Sequence, residues 1–85
     1  MEVILVIGQT EPDDTLDSMK KHGLEFNVVS SDTNVEDAFT EVVVNVLDVE
    51  NFIKKTQLAF ENDKMYELSL LNTILDIENN EIWSQ

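Results

Sequence analysis

The chain has 85 residues, 42% of them hydrophobic, no cysteine, and eighteen acidic against five basic side chains, a formal net charge of −13 at pH 7. That length gives room for one domain, residues 1–85, with one modest core, and the lack of cysteine excludes disulfide frameworks, thiolate metal sites and thiol nucleophiles. All five basic residues are lysine, so direct nucleic-acid binding is opposed by the field and by the missing guanidinium forks.

EVILVI, residues 2–7, reads as a buried strand stopped by Gly8. The start MEVILVIG has no basic segment and too short an apolar run for a secretory signal or a bilayer span, which predicts a soluble, cytoplasmic chain with no membrane partner. A first helix is expected over 12–22. Thr10 stands three residues before Asp13 in a capping-box-like spacing, and Pro12 suits a first turn. Glu11, Asp13 and Asp14 crowd the positive end of the dipole, Lys20, Lys21 and His22 complement the negative end, and Gly23 stops the helix. LEFNVVS, 24–30, has strand composition and completes a β-α-β unit parallel with the first strand, after which SDTNVED reads as a polar connection.

FTEVVVNVL, 39–47, carries two signals. Its β-branched run favours a strand, while Val35, Ala38, Phe39, Val42, Val43, Val46 and Leu47 also fit one helix face. A helix from Asn34 through Phe60 would be about 40 Å long at about 1.5 Å per residue, too long to pack on so small a domain, so a strand over 38–47, antiparallel to 24–30, is predicted. Asp48 caps a second helix carrying Phe52, Ile53 and Phe60 and ending at ENDK. In MYELSLLNTILDIENNEIW, Asn79-Asn80 resembles a tight turn and predicts a strand with a short returning strand. The resulting order resembles an α+β, ferredoxin-like β-α-β-β-α-β sandwich with a short C-terminal hairpin, two helices covering one sheet face.

The stretch after the first strand is where many α/β proteins hold phosphate, yet it has only Gly8, and the helix it opens is already faced by Glu11, Asp13 and Asp14. VILVIGQTEPDDTLDSMKKHGLEFNVVSSD also resembles the opening β-α-β of glutaredoxins, with acids and threonine where that family begins its helix with Cys-x-x-Cys; the resemblance implies the scaffold without the thiol chemistry. Asp32 to Asp37 imitates the first half of a calcium loop, but Asp37 replaces the turn glycine and Val43 the bidentate acid. His22 is the single histidine, beside two lysines at a helix end, where it compensates charge. Eighteen acids in 85 residues produce every carboxylate spacing by chance, and so small a chain is expected to have little room for a pocket of about 300 Å³. No enzyme, metal or cofactor is therefore expected. Trp83 reads as a lid on one end of the core, with a partner anchor as the alternative.

What remains is where the charge falls. In the expected topology three connections share one end of the sheet, with Glu11, Asp13 and Asp14 in the first, Asp32, Glu36 and Asp37 in the second, Glu61 and Asp63 in the third, and Lys20 and Lys21 opposite. In size and charge the chain resembles phage-encoded inhibitors that mimic DNA, such as uracil-DNA glycosylase inhibitors and several anti-CRISPR proteins. The resemblance implies a basic nucleic-acid-binding protein as partner, its channel occupied by carboxylates in place of phosphates, and the host cytoplasm as the place of action, while topology and charge alone select these eight carboxylates as the partner-binding residues. The competing expectation is a ferredoxin-like regulatory module, ACT-like or of another kind, acting through homodimerisation or a ligand.

Overall fold

A computed structural model of the chain describes residues 1–62 and 66–85, with the backbone alone for 66 and 67. Its elements are β1 (Glu2–Ile7), α1 (Asp13–Lys21), β2 (Asn27–Asn34), β3 (Phe39–Asn45), α2 (Val49–Asn62), the short α3 (Tyr66–Ser69), β4 (Leu71–Leu75) and β5 (Glu81–Ser84). The fold is α+β. The strands form one antiparallel sheet in the order β2-β3-β1-β4-β5. β1 and β2 do run the same way, but β3 lies between them, paired antiparallel to both.

Period-two alternation sorts the strands into two faces. Val3, Leu5 and Ile7 of β1 and Thr40, Val42 and Val44 of β3 are buried, in register as Val3↔Val44, Leu5↔Val42 and Ile7↔Thr40. Ile74 and Trp83 continue that face across β4 and β5. Leu16 and Met19 of α1 and Phe52 and Ala59 of α2 close over it in a single core cluster. The other face, carrying Ile4, Val6, Glu41, Val43 and Leu75, is only half-buried because no described helix covers it.

Local chemistry accounts for the helix ends. α1 stops in a Schellman arrangement: Gly23 has φ 84°, its N–H donates to Lys20 O, and the Leu24 N–H donates to Met19 O. Asp48 caps α2 by accepting the Asn51 N–H at 3.1 Å. The start of α1 corrects the capping-box expectation. Pro12 occupies the cap position, and no side chain there accepts a helical N–H.

Other boundaries moved for packing reasons. Leu24 and Phe26 alternate like a strand, yet they lie before β2 and plug the end of the core where β1 begins, its lower end, where the Phe26 ring meets Phe52 edge-on at 6.1 Å. Pairing begins only at Asn27↔Asn45 and runs on to Asn34↔Phe39. The polar segment SDTN, expected in a connection, is therefore strand. FTEVVVN is strand, as its β-branched run predicted, and pairs antiparallel with β2. The C-terminal pair β4 and β5 also forms, with Asn79 at φ 65° in the turn, while Tyr66–Ser69 ahead of it is helical rather than extended. Trp83 closes the core as a lid, 8% exposed, its ring 4.8 Å from that of Phe60.

Candidate functional site

Strand direction decides which loops meet. β1 finishes at Ile7, which is level with Thr40 near the start of β3 and with Leu71 at the start of β4. The turn 8–12, the hairpin 35–38 and the approach to β4 thus share one end of the sheet, the upper end. The turn that invited a phosphate is closed by the chain's own groups. The Gly8 N–H donates to Leu70 O at 2.8 Å, the Gln9 N–H to Ile7 O at 2.9 Å, and Gln9 O accepts the Thr40 hydroxyl at 2.8 Å. A Cβ on Gly8 would stand 2.9 Å from the side-chain amide nitrogen of Asn72 and 3.5 Å from Leu70 O, so a larger residue there would require the Asn72 side chain to shift.

Around this end lie Glu11, Asp13, Asp14, Glu36 and Asp37, all exposed. Asp13 and Asp14 occupy the first turn of α1. Asp37 holds the hairpin: its N–H donates to Asn34 Oδ1 at 3.0 Å, and its carboxylate accepts the Asn34 amide at 3.2 Å. Asp32 is separated from this group. It lies in β2 directly opposite Glu41, which sits across β1 from Thr73 through Val6, so Asp32 and Glu41 belong to the open face and not to the helix-covered one. Glu61 stands in the last turn of α2 and accepts Gln57 Nε2 one turn earlier. Asp63 lies outside the described residues. Sequence reasoning missed Glu41, whose alternation with the buried Thr40 and Val42 would have placed it on the other face.

The described lysines are elsewhere. Lys20 and Lys21 end α1 at the lower end, Lys20 Nζ lying 5.2 Å from the Phe26 ring centre. Lys54 is 3.8 Å from Glu50, and Lys55 Nζ reaches Gly23 O at 3.4 Å. The upper end therefore carries carboxylates with no described lysine beside them, whereas the lower end mixes both signs.

The chain matches no protein-family model, no curated protein and no solved structure.

One of two cavities exceeds the volume of about 300 Å³ for which little room was expected. An open groove of about 400 Å³ at the lower end is lined by Lys20, Phe26, Asn27, Asn45 and Leu47 among others, and a more apolar notch of about 280 Å³ by Met1, Val3, Val49, Ile77 and Ile82. Asp76, on the rim of the notch, has its pKa held below the ordinary carboxylate value. That shift belongs to a turn, because Asp76 accepts the backbone N–H groups of Glu78 and Asn80 at 2.9 Å each. Among the described residues no three His, Asp or Glu side chains converge as a metal site, and no helix is long and apolar enough to cross a membrane.

Proposed function

We propose that this chain is an acidic protein inhibitor, of the phage-encoded DNA-mimic or anti-CRISPR kind, that docks on the basic nucleic-acid channel of a nuclease or other nucleic-acid-binding protein and occludes it. The observation that carries the reading is the asymmetry of charge: Glu11, Asp13, Asp14, Glu36 and Asp37 gather at one end, and the described lysines lie at the other. Carboxylates on a rigid fold compete with phosphates for Lys and Arg without the ordering cost a flexible polymer incurs. Occlusion needs no catalytic group, cofactor or metal.

The scaffold we read as a ferredoxin-like sandwich to which β5 has been added at the β4 edge. Its support is the β-α-β-β-α-β order, the central pair β1 and β3, and both helices over one face. A second reading, a ferredoxin-like module acting as a homodimer, is favoured by the open face with its half-buried Ile4, Val6, Val43 and Leu75.

Capture of partners on the immobilised protein at low and high salt, followed by competition with duplex DNA, separates the two. Inhibition predicts a basic nucleic-acid-binding protein released by salt and displaced by DNA. Self-association that is insensitive to salt, with no such partner, would favour the dimeric module.

A further inference from the structure

β2 is the longest strand of the sheet and one of its edges, and all eight of its residues are exposed. An edge of this kind offers unpaired N–H and C=O groups to any second chain, and proteins blunt it with charged side chains, lysine above all, with proline, short length or bulges; the one charge on β2 is Asp32. NVVSSDTN contains neither lysine nor proline, and its register shift is confined to Val28–Ser30. From Ser30↔Val43 to Asn34↔Phe39 the pairing is regular, so the outer side of Ser30–Asn34 is a straight template. The opposite edge, β5, is only four residues long.

A second observation says what chemistry the template suits. Asp32 stands directly opposite Glu41, and like charges in that position repel. The described lysines sit on α1 and α2, which cover the other face, so none of them answers this pair. A strand added to β2 would set one side chain across from Asp32 at about 5 Å and two strands from Glu41 at roughly 10 Å, within reach of an extended Lys or Arg. We infer that β2 accepts an extended, basic segment of a partner protein by strand addition, with a Lys or Arg facing Asp32. The inference rests on the proposed function only for the sign of the partner's charge. A second copy of this chain fits the template poorly, because each copy carries −13 and pairing β2 with β2 would bring two such edges and two acidic hairpins together.

The probe is an alternating Lys-Thr peptide with blocked ends, set against a twin N-methylated at every second amide, which keeps the charge but removes the donors on one edge. With the intact protein, the plain peptide should bind at least about tenfold more tightly than the twin, the loss expected when several backbone hydrogen bonds fail together. Amide shifts and hydrogen-exchange protection should centre on Ser30–Asn34. Asp32→Lys, an exposed change that removes the repulsion with Glu41, should weaken the plain peptide and favour an alternating Glu-Thr peptide instead.

Equal binding of both Lys-Thr peptides, with shifts spread over Glu11 to Asp14 and the hairpin, would overturn strand addition and leave the charge-driven reading standing. Binding of neither would overturn both. A dimer seen by sedimentation without peptide, with Ser30–Asn34 already protected, would overturn the inference in favour of self-pairing.

Discussion

Trp83 joins the last strand to α2 in two ways, through ring contact with Phe60 and through its indole N–H, which donates to Gln57 Oε1 at 2.9 Å. Trp83→Ala should therefore cost about 3–5 kcal/mol in urea unfolding, while Trp83→Phe, which keeps a ring but loses the donor, should cost only about 1 kcal/mol beyond its smaller packing loss. Equal losses in the two variants would mean that the hydrogen bond, and not ring volume, dominates. Asp76 organises the turn before β5. Its pKa is held below its ordinary value chiefly by the backbone N–H of Asn80, against the opposing effect of desolvation and with help from the Asn80 amide and the Glu78 N–H. A lowered carboxylate pKa contributes stability that is present above the unfolded value and lost as pH falls through the folded one. The turn 76–80 should thus stay intact at neutral pH and loosen in acid, seen as faster exchange of the Glu78 and Asn80 amides. Asp76→Asn should remove that pH dependence.

At the scale of elements, the β2–β3 hairpin carries two strains with different remedies. Ala38 sits at φ 56°, a conformation that costs an L-residue about 1–2 kcal/mol, so Ala38→Gly should stabilise the protein by up to about 1 kcal/mol once glycine's larger unfolded-state entropy is counted. The strain from Asp32 against Glu41 is electrostatic. Asp32→Asn should stabilise by about 0.2–1 kcal/mol at low salt, and the gain should shrink as salt screens the pair. Thermal melts of both variants across a salt series distinguish the two causes, because only the second depends on ionic strength. Gly23 differs from both, since nothing stands within 4 Å of a Cβ there, and a penalty on Gly23→Ala would come from its φ of 84° alone.

At the scale of the whole molecule, charges are spread over a body of 32 × 28 × 20 Å. Screening acts over about 10 Å at 0.1 M salt, so repulsion between the two ends is largely damped while repulsion within the upper end persists. Added salt should raise the melting temperature until that local repulsion is screened too. The docking reading predicts unequal effects from equal changes in charge. Glu11→Gln, Asp13→Asn, Asp14→Asn and Glu36→Gln together should weaken partner binding far more than Glu2→Gln, Glu25→Gln, Glu50→Gln and Glu81→Gln. Asp37, Asp48 and Asp76 are left out because each holds a turn or cap through its own bonds. Asp13 and Asp14 face the helix dipole and contribute up to about 1 kcal/mol each, so folding is checked by circular dichroism before binding is compared. Equal losses from the two sets would leave only the overall field as the cause.

Local chemistry in the chain was enough to place β1, α1, β3, α2 and the C-terminal hairpin, because apolar period, Asp48 as a cap, Gly23 as a stop and Asn79 in a turn act within a few residues of one another. It also set the acidity and the lack of thiol chemistry. It misread 24–34, for a physical reason. Leu24 and Phe26 plug the core without pairing and so imitate the alternation of a half-buried strand, whereas Ser31–Asn34 pair on an edge that no described helix covers and so are polar throughout. Which acids are neighbours was decided only by tertiary pairing. Sequence distance grouped Asp32 with Glu36 and Asp37, but register set it beside Glu41, on the face away from α1, because a strand's side chains alternate between faces while a loop's do not.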